Sequence, residues 1–291
     1  METLIKEFLV FMQTKKAAAN NTLLSYRRDL SEFLRFCANH PGQPTVKTMD
    51  SKIIRDYNEW LKEQNIASAT INRRLAALRS FLGYLKAKKL IKENLVEEMA
   101  FYRESPKTIF EVLTDKKIKK LLEILAKRAT PKGIRDSAMI ELFLATGIQP
   151  SELVSLDLEM ADLGAEYPEI KICHRGNIRK ISLPFRVVLA LSEYIQKARL
   201  KLISGRSEKA LKEKALFLNQ RGERLTRNGV WWIIRECAHS ANLKNEVTPR
   251  ALRYNFAARQ LALGVSSEKL QQLLGHTHQH SVDRFRERLQ I

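Results

Sequence analysis

Along the N-terminal third of the chain, apolar residues recur every three or four positions, the spacing that gives a helix one apolar face. From Asn21 to Cys37 the stripe runs Leu23, Tyr26, Leu30, Phe33, Leu34 and Cys37, and Asn21 has the side chain expected of an N-cap. Val46 to Glu63 predicts a second helix, or a pair, around Ile53, Ile54, Tyr57, Trp60 and Leu61. A further helix starts at Ser68 as cap and shows Ile71, Leu75, Leu78, Leu82 and Leu85, with Asn72, Arg73, Arg79 and Lys86 on its other face. The stretch from Tyr102 to Phe110 has no period and contains Pro106, so it predicts a connection. Helical spacing resumes after Thr114-Asp115 with Ile118, Leu121, Leu122 and Leu125. Between Glu166 and Leu183 the period shortens. Ile170 and Ile172 precede His174-Arg175-Gly176-Asn177, and Ile181 and Leu183 follow, which predicts a β-hairpin. Helices are expected again from Phe185 to the end. The chain therefore divides into residues 1–103, a linker at 104–112 and residues 113–291. It is mainly α, with a small β-sheet in the second domain.

The chain is long enough, at 291 residues, for two cores. Its apolar content of 44% excludes a disordered chain, and no apolar run approaches the roughly 20 residues that cross a bilayer. The N-terminus carries Glu2 and Glu7 and has no small-residue cleavage site, so it does not read as a signal peptide. Cys37, Cys173 and Cys237 are far apart and odd in number, which fits a reducing cytosol rather than a disulfide framework. His276, His278 and His280 alternate, but no cysteine or acidic cluster joins them, so neither a metal nor a cofactor is expected. Charge changes the picture most. The net charge of +19 is well beyond the magnitude of roughly 2–8 that keeps a small domain in solution. A generally solvated basic surface is one reading; a surface for nucleic acid is the preferred one. The face holding Arg73 and Arg79 then becomes a candidate for the major groove, which admits a helix.

A series of motifs follows in order. Asn21-Thr22-Leu23 with Tyr26-Arg27-Arg28-Asp29-Leu30, and Thr70-Ile71-Asn72-Arg73-Arg74-Leu75, lie in the first domain. Leu113-Thr114-Asp115 opens the second. After it come Thr146-Gly147-Ile148-Gln149-Pro150-Ser151-Glu152-Leu153, Leu216-Phe217-Leu218-Asn219, Leu225-Thr226-Arg227 and Thr248-Pro249-Arg250-Ala251-Leu252-Arg253-Tyr254. Leu273-Leu274-Gly275-His276 ends the series, with Phe285 nine residues past the histidine. This order resembles the tyrosine recombinases, that is, the phage integrases and the Xer-type chromosome-dimer resolvases, over residues 4 to 286. The resemblance implies an N-terminal helical core-binding domain of SAM-like type and a C-terminal mixed α/β domain of the recombinase catalytic type. Together they would clamp duplex DNA from opposite sides.

That family exchanges phosphodiesters with two arginines on the phosphate, a hairpin lysine as general acid, two histidines and an attacking tyrosine. Carried over by motif, the first arginine position holds Gln149, whose amide has donors but no charge. The lysine position holds Arg175, which keeps its proton too tightly to be a good acid. Arg250 stands where the first histidine is expected, while Arg253 and His276 match the second arginine and the second histidine. Phe285 takes the place of the tyrosine, and a phenyl ring cannot attack phosphorus. Phosphate-binding charge survives at Arg175, Arg250 and Arg253, whereas the nucleophile and the proton chemistry are lost. Only Arg286 to Ile291 follow Phe285, where the resemblance implies a longer C-terminal helix docking into a neighbour, which speaks against a cyclic tetramer. The expectation is a cytoplasmic, nucleoid-associated DNA-binding protein, inactive in strand cleavage, acting as an accessory, regulatory or architectural factor. Its partners would be double-stranded DNA and either an active recombinase or a second copy of itself, with no membrane. The rival readings are an active recombinase with an unusual nucleophile, and a protein-interaction module on a recombinase scaffold.

Overall fold

The computed structural model describes residues 1–91, 95, 112–174, 177–205, 208–244, 246–275 and 280–289. It divides into two compact units, Met1–Lys107 and Thr108–Ile291. The expected linker at 104–112 lies, apart from Val112, outside the described residues.

Among the described residues, the first unit has four helices, α1 (Glu2–Thr14), α2 (Asn20–Asn39), α3 (Ser51–Glu63) and α4 (Ser68–Ala87). The apolar stripes turn inward as expected: Leu30, Phe33, Tyr57, Leu61, Leu75, Leu78 and Leu82 are all buried with Phe8 and Phe81. Phe8 meets Phe81 edge-on at 5.5 Å, and Phe33 meets Tyr57 edge-on at 4.9 Å, arrangements that suit the ring quadrupole. The helix starts differ from the expectation. The α2 cap is Ala19, whose carbonyl accepts from the amides of Thr22 and Leu23, so Asn21 already lies in the first turn. In the same way Ala67 caps α4, one residue before Ser68. The Val46 segment enters as turns, and α3 begins only after Asp50, whose carboxylate accepts from the Ile53 amide at 2.9 Å. Backbone geometry at a helix start tolerates alanine, so the capping residue type predicts the position only to within a turn.

The second unit holds α5 (Asp115–Ala126), α6 (Pro131–Thr146), α7 (Pro150–Ser155), α8 (Phe185–Glu193), α9 (Leu200–Ile203), α10 (Glu208–Leu211), α11 (Arg227–Ser240), α12 (Pro249–Ala262), α13 (Ser267–Leu274) and α14 (His280–Leu289). A π-helical turn, Tyr194–Arg199, joins α8 to α9. Helix α6 is the buried centre, flanked by α5, α8 and α12, with Met139, Ile140, Leu142 and Phe143 fully covered. The expected hairpin is present as β2 (Glu169–His174) and β3 (Asn177–Ser182), paired antiparallel from His174↔Asn177 to Glu169↔Ser182. A two-residue strand β1 (Ala161–Asp162), which has no period to reveal it, completes a three-stranded sheet in the order β1-β2-β3. Helix does not run unbroken from Phe185 to the end. Residues 213–219 form no helix because side chains hold their backbone: Arg199 donates to the carbonyls of Glu213 and Ala215 at 2.6 and 2.9 Å, and Arg135 to that of Leu218 at 3.0 Å.

Candidate functional site

Helix α6 ends at Thr146 because Gly147 turns left-handed at φ +59°, with its amide bonded to the Phe143 carbonyl. A Cβ at Gly147 would lie 2.5 Å from Phe256 Cδ1, so only glycine fits there. Gln149 then caps α7, partly buried, and its backbone N–H donates to Glu152 Oε2 at 2.8 Å. Arg253 approaches the same turn from α12, a helix started by Thr248, whose hydroxyl accepts from the Ala251 amide. Its guanidinium is 7% exposed; Nη1 donates to the Gly147 carbonyl at 2.5 Å and Nη2 to the Leu274 carbonyl at 2.7 Å. Burial pushes the Arg253 pKa down to about 10, against the pull of nearby Glu152, so it remains a cation at neutral pH.

The last turn of α13 completes this cluster. Gly275 ends the helix in the left-handed region at φ +66°, as the sequence implies. Arg179 of β3 donates through Nε to the Leu273 carbonyl at 2.9 Å, and through Nη1 and Nη2 to the two oxygens of Glu152 at 2.7 and 2.8 Å. The Glu152 side chain is fully buried. Burial alone would push its pKa up. The Arg179 fork, the Gln149 amide and the charges of Arg179 and Arg253 outweigh that push and hold the pKa below the usual value. Two cations and one anion are thus gathered between α7, β3, α12 and α13. The resemblance had pointed to Gln149 and Arg253 only. Arg179 and Glu152 were missed, although Arg179 had a legible signal, a charged residue inside the alternating strand.

Arg250 and Phe285 belong to a neighbouring cluster. Arg250 is exposed near the start of α12, and its guanidinium sits 5.5 Å from the Tyr254 ring, within cation–π reach. Tyr254, 5% exposed, packs against Phe285, 7% exposed, with ring centroids 4.3 Å apart. Phe256, Leu270, Leu274 and Val282 close the apolar pocket around Phe285. Arg175 and His276 lie outside the described residues, as does His278. Among the described residues no group of His, Cys, Asp or Glu could hold a metal, and no helix is long and apolar enough to cross a membrane.

The basic face of α4 is partly committed to the fold. Arg73 donates to the Asp29 carboxylate on α2, which is 3% exposed, and so ties α2 to α4. Arg79 is half-buried. A more exposed cationic surface lies on α11 and was not anticipated. Trp231 and Trp232 are 43% and 61% exposed and meet edge-on at 5.3 Å. The Arg235 guanidinium sits 5.1 and 5.6 Å from their rings.

Comparison with known proteins matches residues 111–290 to the phage integrase family and residues 5–89 to the phage integrase N-terminal SAM-like domain. The tyrosine recombinase XerC of Herpetosiphon aurantiacus is 34% identical over 95% of this chain and 87% of its own length. The tyrosine recombinase XerD of Oceanobacillus iheyensis is 33% identical over 95% of this chain and 90% of its own. Among solved structures, the XerH site-specific recombinase bound to a palindromic difH substrate shares the fold, with a TM-score of 0.76 at 17% identity, covering 97% of this chain and 81% of that one.

Proposed function

The chain belongs to the phage integrase family of tyrosine recombinases, and from that premise we propose that it binds duplex DNA without cutting it. One observation carries this reading: the residue at the nucleophile position, Phe285, has no hydroxyl and is packed into an apolar pocket against Tyr254. Strand exchange in this family runs through a covalent link from a side-chain oxygen to phosphorus, and nothing at Phe285 can form that bond. The surrounding positions lean the same way. Gln149 cannot offer a charged clamp, and arginines at 175 and 250 stand where the family motif has a lysine and a histidine. What survives suits phosphate: a net charge of +19 and, on α11, exposed indole faces beside Arg235. On a duplex the base faces are covered, so such rings would pack against backbone sugars, while arginine meets phosphate oxygens with a fork of donors.

The role that follows is accessory, regulatory or architectural: occupying a DNA site alone, as a pair of copies, or beside an active recombinase. The cytoplasm, on the nucleoid, is where a DNA-bound role would place it.

The test has two arms. Gel-shift titration on random-sequence duplex should give binding whose log K falls with log salt at a slope of about −0.9 per phosphate contacted. Incubation with a nicked suicide duplex carrying a selected site should give no protein–DNA adduct stable to denaturant. Absence of binding at low salt overturns the DNA reading, and a wild-type adduct, wherever it maps, overturns the inactive one.

A further inference from the structure

Strand β3 reverses the usual alternation at one step. Ile178 stands 69% exposed, while Arg179 shares the face on which its cross-strand partner Ile172 and its neighbour Ile181 are buried. A cation on the core face is costly unless it is paired and hydrogen-bonded. Arg179 is both: it grips Glu152 with two bonds and the Leu273 carbonyl with a third. The seat is tight, since a Cβ at Gly275 would lie 2.6 Å from Arg179 Nη1. We propose that Arg179 is a positioning residue that replaces the guanidinium missing at Gln149, holding the buried Glu152 carboxylate and so fixing α7, the hairpin and the end of α13 against one another.

The geometry behind the exchange is local. The Gln149 backbone nitrogen already lies 2.8 Å from Glu152 Oε2, so a side chain at 149 starts beside that carboxylate. An arginine there, as the family motif implies, would compete for the anion that Arg179 occupies. With Arg253 also close, two further guanidinia would put three cations around one anion, and like charges at such distances repel strongly. Positions 149 and 179 can therefore share one arginine between them. The three elements fixed in this way carry Gln149 itself and border, in the sequence, the positions of Arg175 and His276. The inference rests on the family position of Gln149 and not on DNA binding, so either can fail without the other.

A double-mutant cycle on the full chain tests it, read by urea unfolding. At pH 7, Arg179→Gln should raise the unfolding equilibrium constant about a hundredfold or more, because it strands a buried carboxylate. Gln149→Arg alone should also destabilise, by crowding. The combined Gln149→Arg, Arg179→Gln protein should recover at least tenfold over Arg179→Gln, and Arg179→Lys should recover less than that. If Arg179→Gln does not fold at all, recovery of folding in the combined protein is the decisive reading. The pH profile separates this role from simple packing. In the wild type the Glu152 pKa lies below its unfolded value, so its contribution is full above that value and fades as pH falls through the lowered one. Without Arg179 the buried Glu152 carboxylate loses the fork that offsets its burial, so protonating it at acid pH should relieve part of the variant's deficit. Among the described residues, the groups facing Glu152 are Arg179 from β3, the Gln149 backbone N–H at the start of its own helix and Arg253 from α12. The gap between wild type and Arg179→Gln should accordingly narrow by at least tenfold from pH 7 to pH 4.5. Additive single effects in the cycle, a neutral Gln149→Arg, or a gap that does not change with pH would each overturn the proposal.

Discussion

Restoring the missing hydroxyl should not restore cleavage. Phe285→Tyr adds one oxygen to a ring that is 7% exposed, so the pocket must accommodate it, but the fold has no reason to change. Catalysis is another matter. A preorganised charge on the phosphate, absent at Gln149, is worth roughly 10²–10³ in rate. Proton transfer, absent at Arg175 and Arg250, is worth roughly 10²–10⁴. Together these leave the variant about 10⁴–10⁷ slower than a competent site. If a competent site forms its adduct in about a minute, the variant needs on the order of a week or more at the same saturation. The assay is covalent capture on a nicked suicide duplex carrying a site selected by the wild-type protein, followed for an hour and resolved under denaturing conditions. Binding and thermal melting serve as controls that the variant is folded and loaded. The combined variant Gln149→Arg, Arg175→Lys, Arg250→His, Phe285→Tyr, made with and without Arg179→Gln, shows whether the scaffold still holds catalytic geometry. An adduct from Phe285→Tyr alone within the hour would refute the reasoning, because it would mean that the other losses cost almost nothing.

Gly147→Ala should destabilise by about 2 kcal/mol or more, since it adds a Cβ in the left-handed region at 2.5 Å from Phe256; a urea midpoint equal to wild type would contradict the close approach. Trp232→Ala and Arg235→Ala should each weaken duplex binding at least severalfold while changing stability by about 0.5 kcal/mol or less, as expected for exposed positions; unchanged gel-shift affinity would remove α11 from the interface. Arg73→Ala should cost about 1–3 kcal/mol of stability, discounted because Arg73 is half-exposed, by stranding Asp29; a change in DNA affinity with stability unaltered would assign Arg73 to the DNA instead.

The helical faces and the hairpin were legible because burial repeats with the geometry of the element, and that repeat survives in a single sequence. Leu75, Leu78, Leu82 and Leu85 on α4, and Ile170, Ile172 and Ile181 in the sheet, lie buried where their periods put them. Gly275 was legible because a glycine after an apolar run leaves few alternatives to a left-handed helix end. Strand β1 was not, since two residues carry no period and are placed by pairing with Glu169 and Ile170. Residues 213–219 escaped for a related reason: distant side chains, Arg135, Tyr194 and Arg199, supply their hydrogen bonds. At the candidate site, the motifs located Gln149 and Arg253 but could not say what their side chains touch. Arg253 spends donors on two backbone carbonyls, and the Arg179–Glu152 pair exists only once register and helix placement bring residues 27 positions apart together. Such pairing is a tertiary fact.

The end of α13 receives guanidinium groups from two different segments, Arg179 on the Leu273 carbonyl and Arg253 on the Leu274 carbonyl. A helix terminus ordinarily frays, because its last carbonyls lack partners and bear the negative end of the dipole. Here cations from β3 and α12 close it, so the last turn of α13 cannot open without first detaching from both. In hydrogen exchange, amides there should be protected nearly as long as those of α6, unlike the exposed ends of α9 or α10. Any movement that carried α14 and Phe285 away from Tyr254 would leave the end of α13 where β3 and α12 hold it.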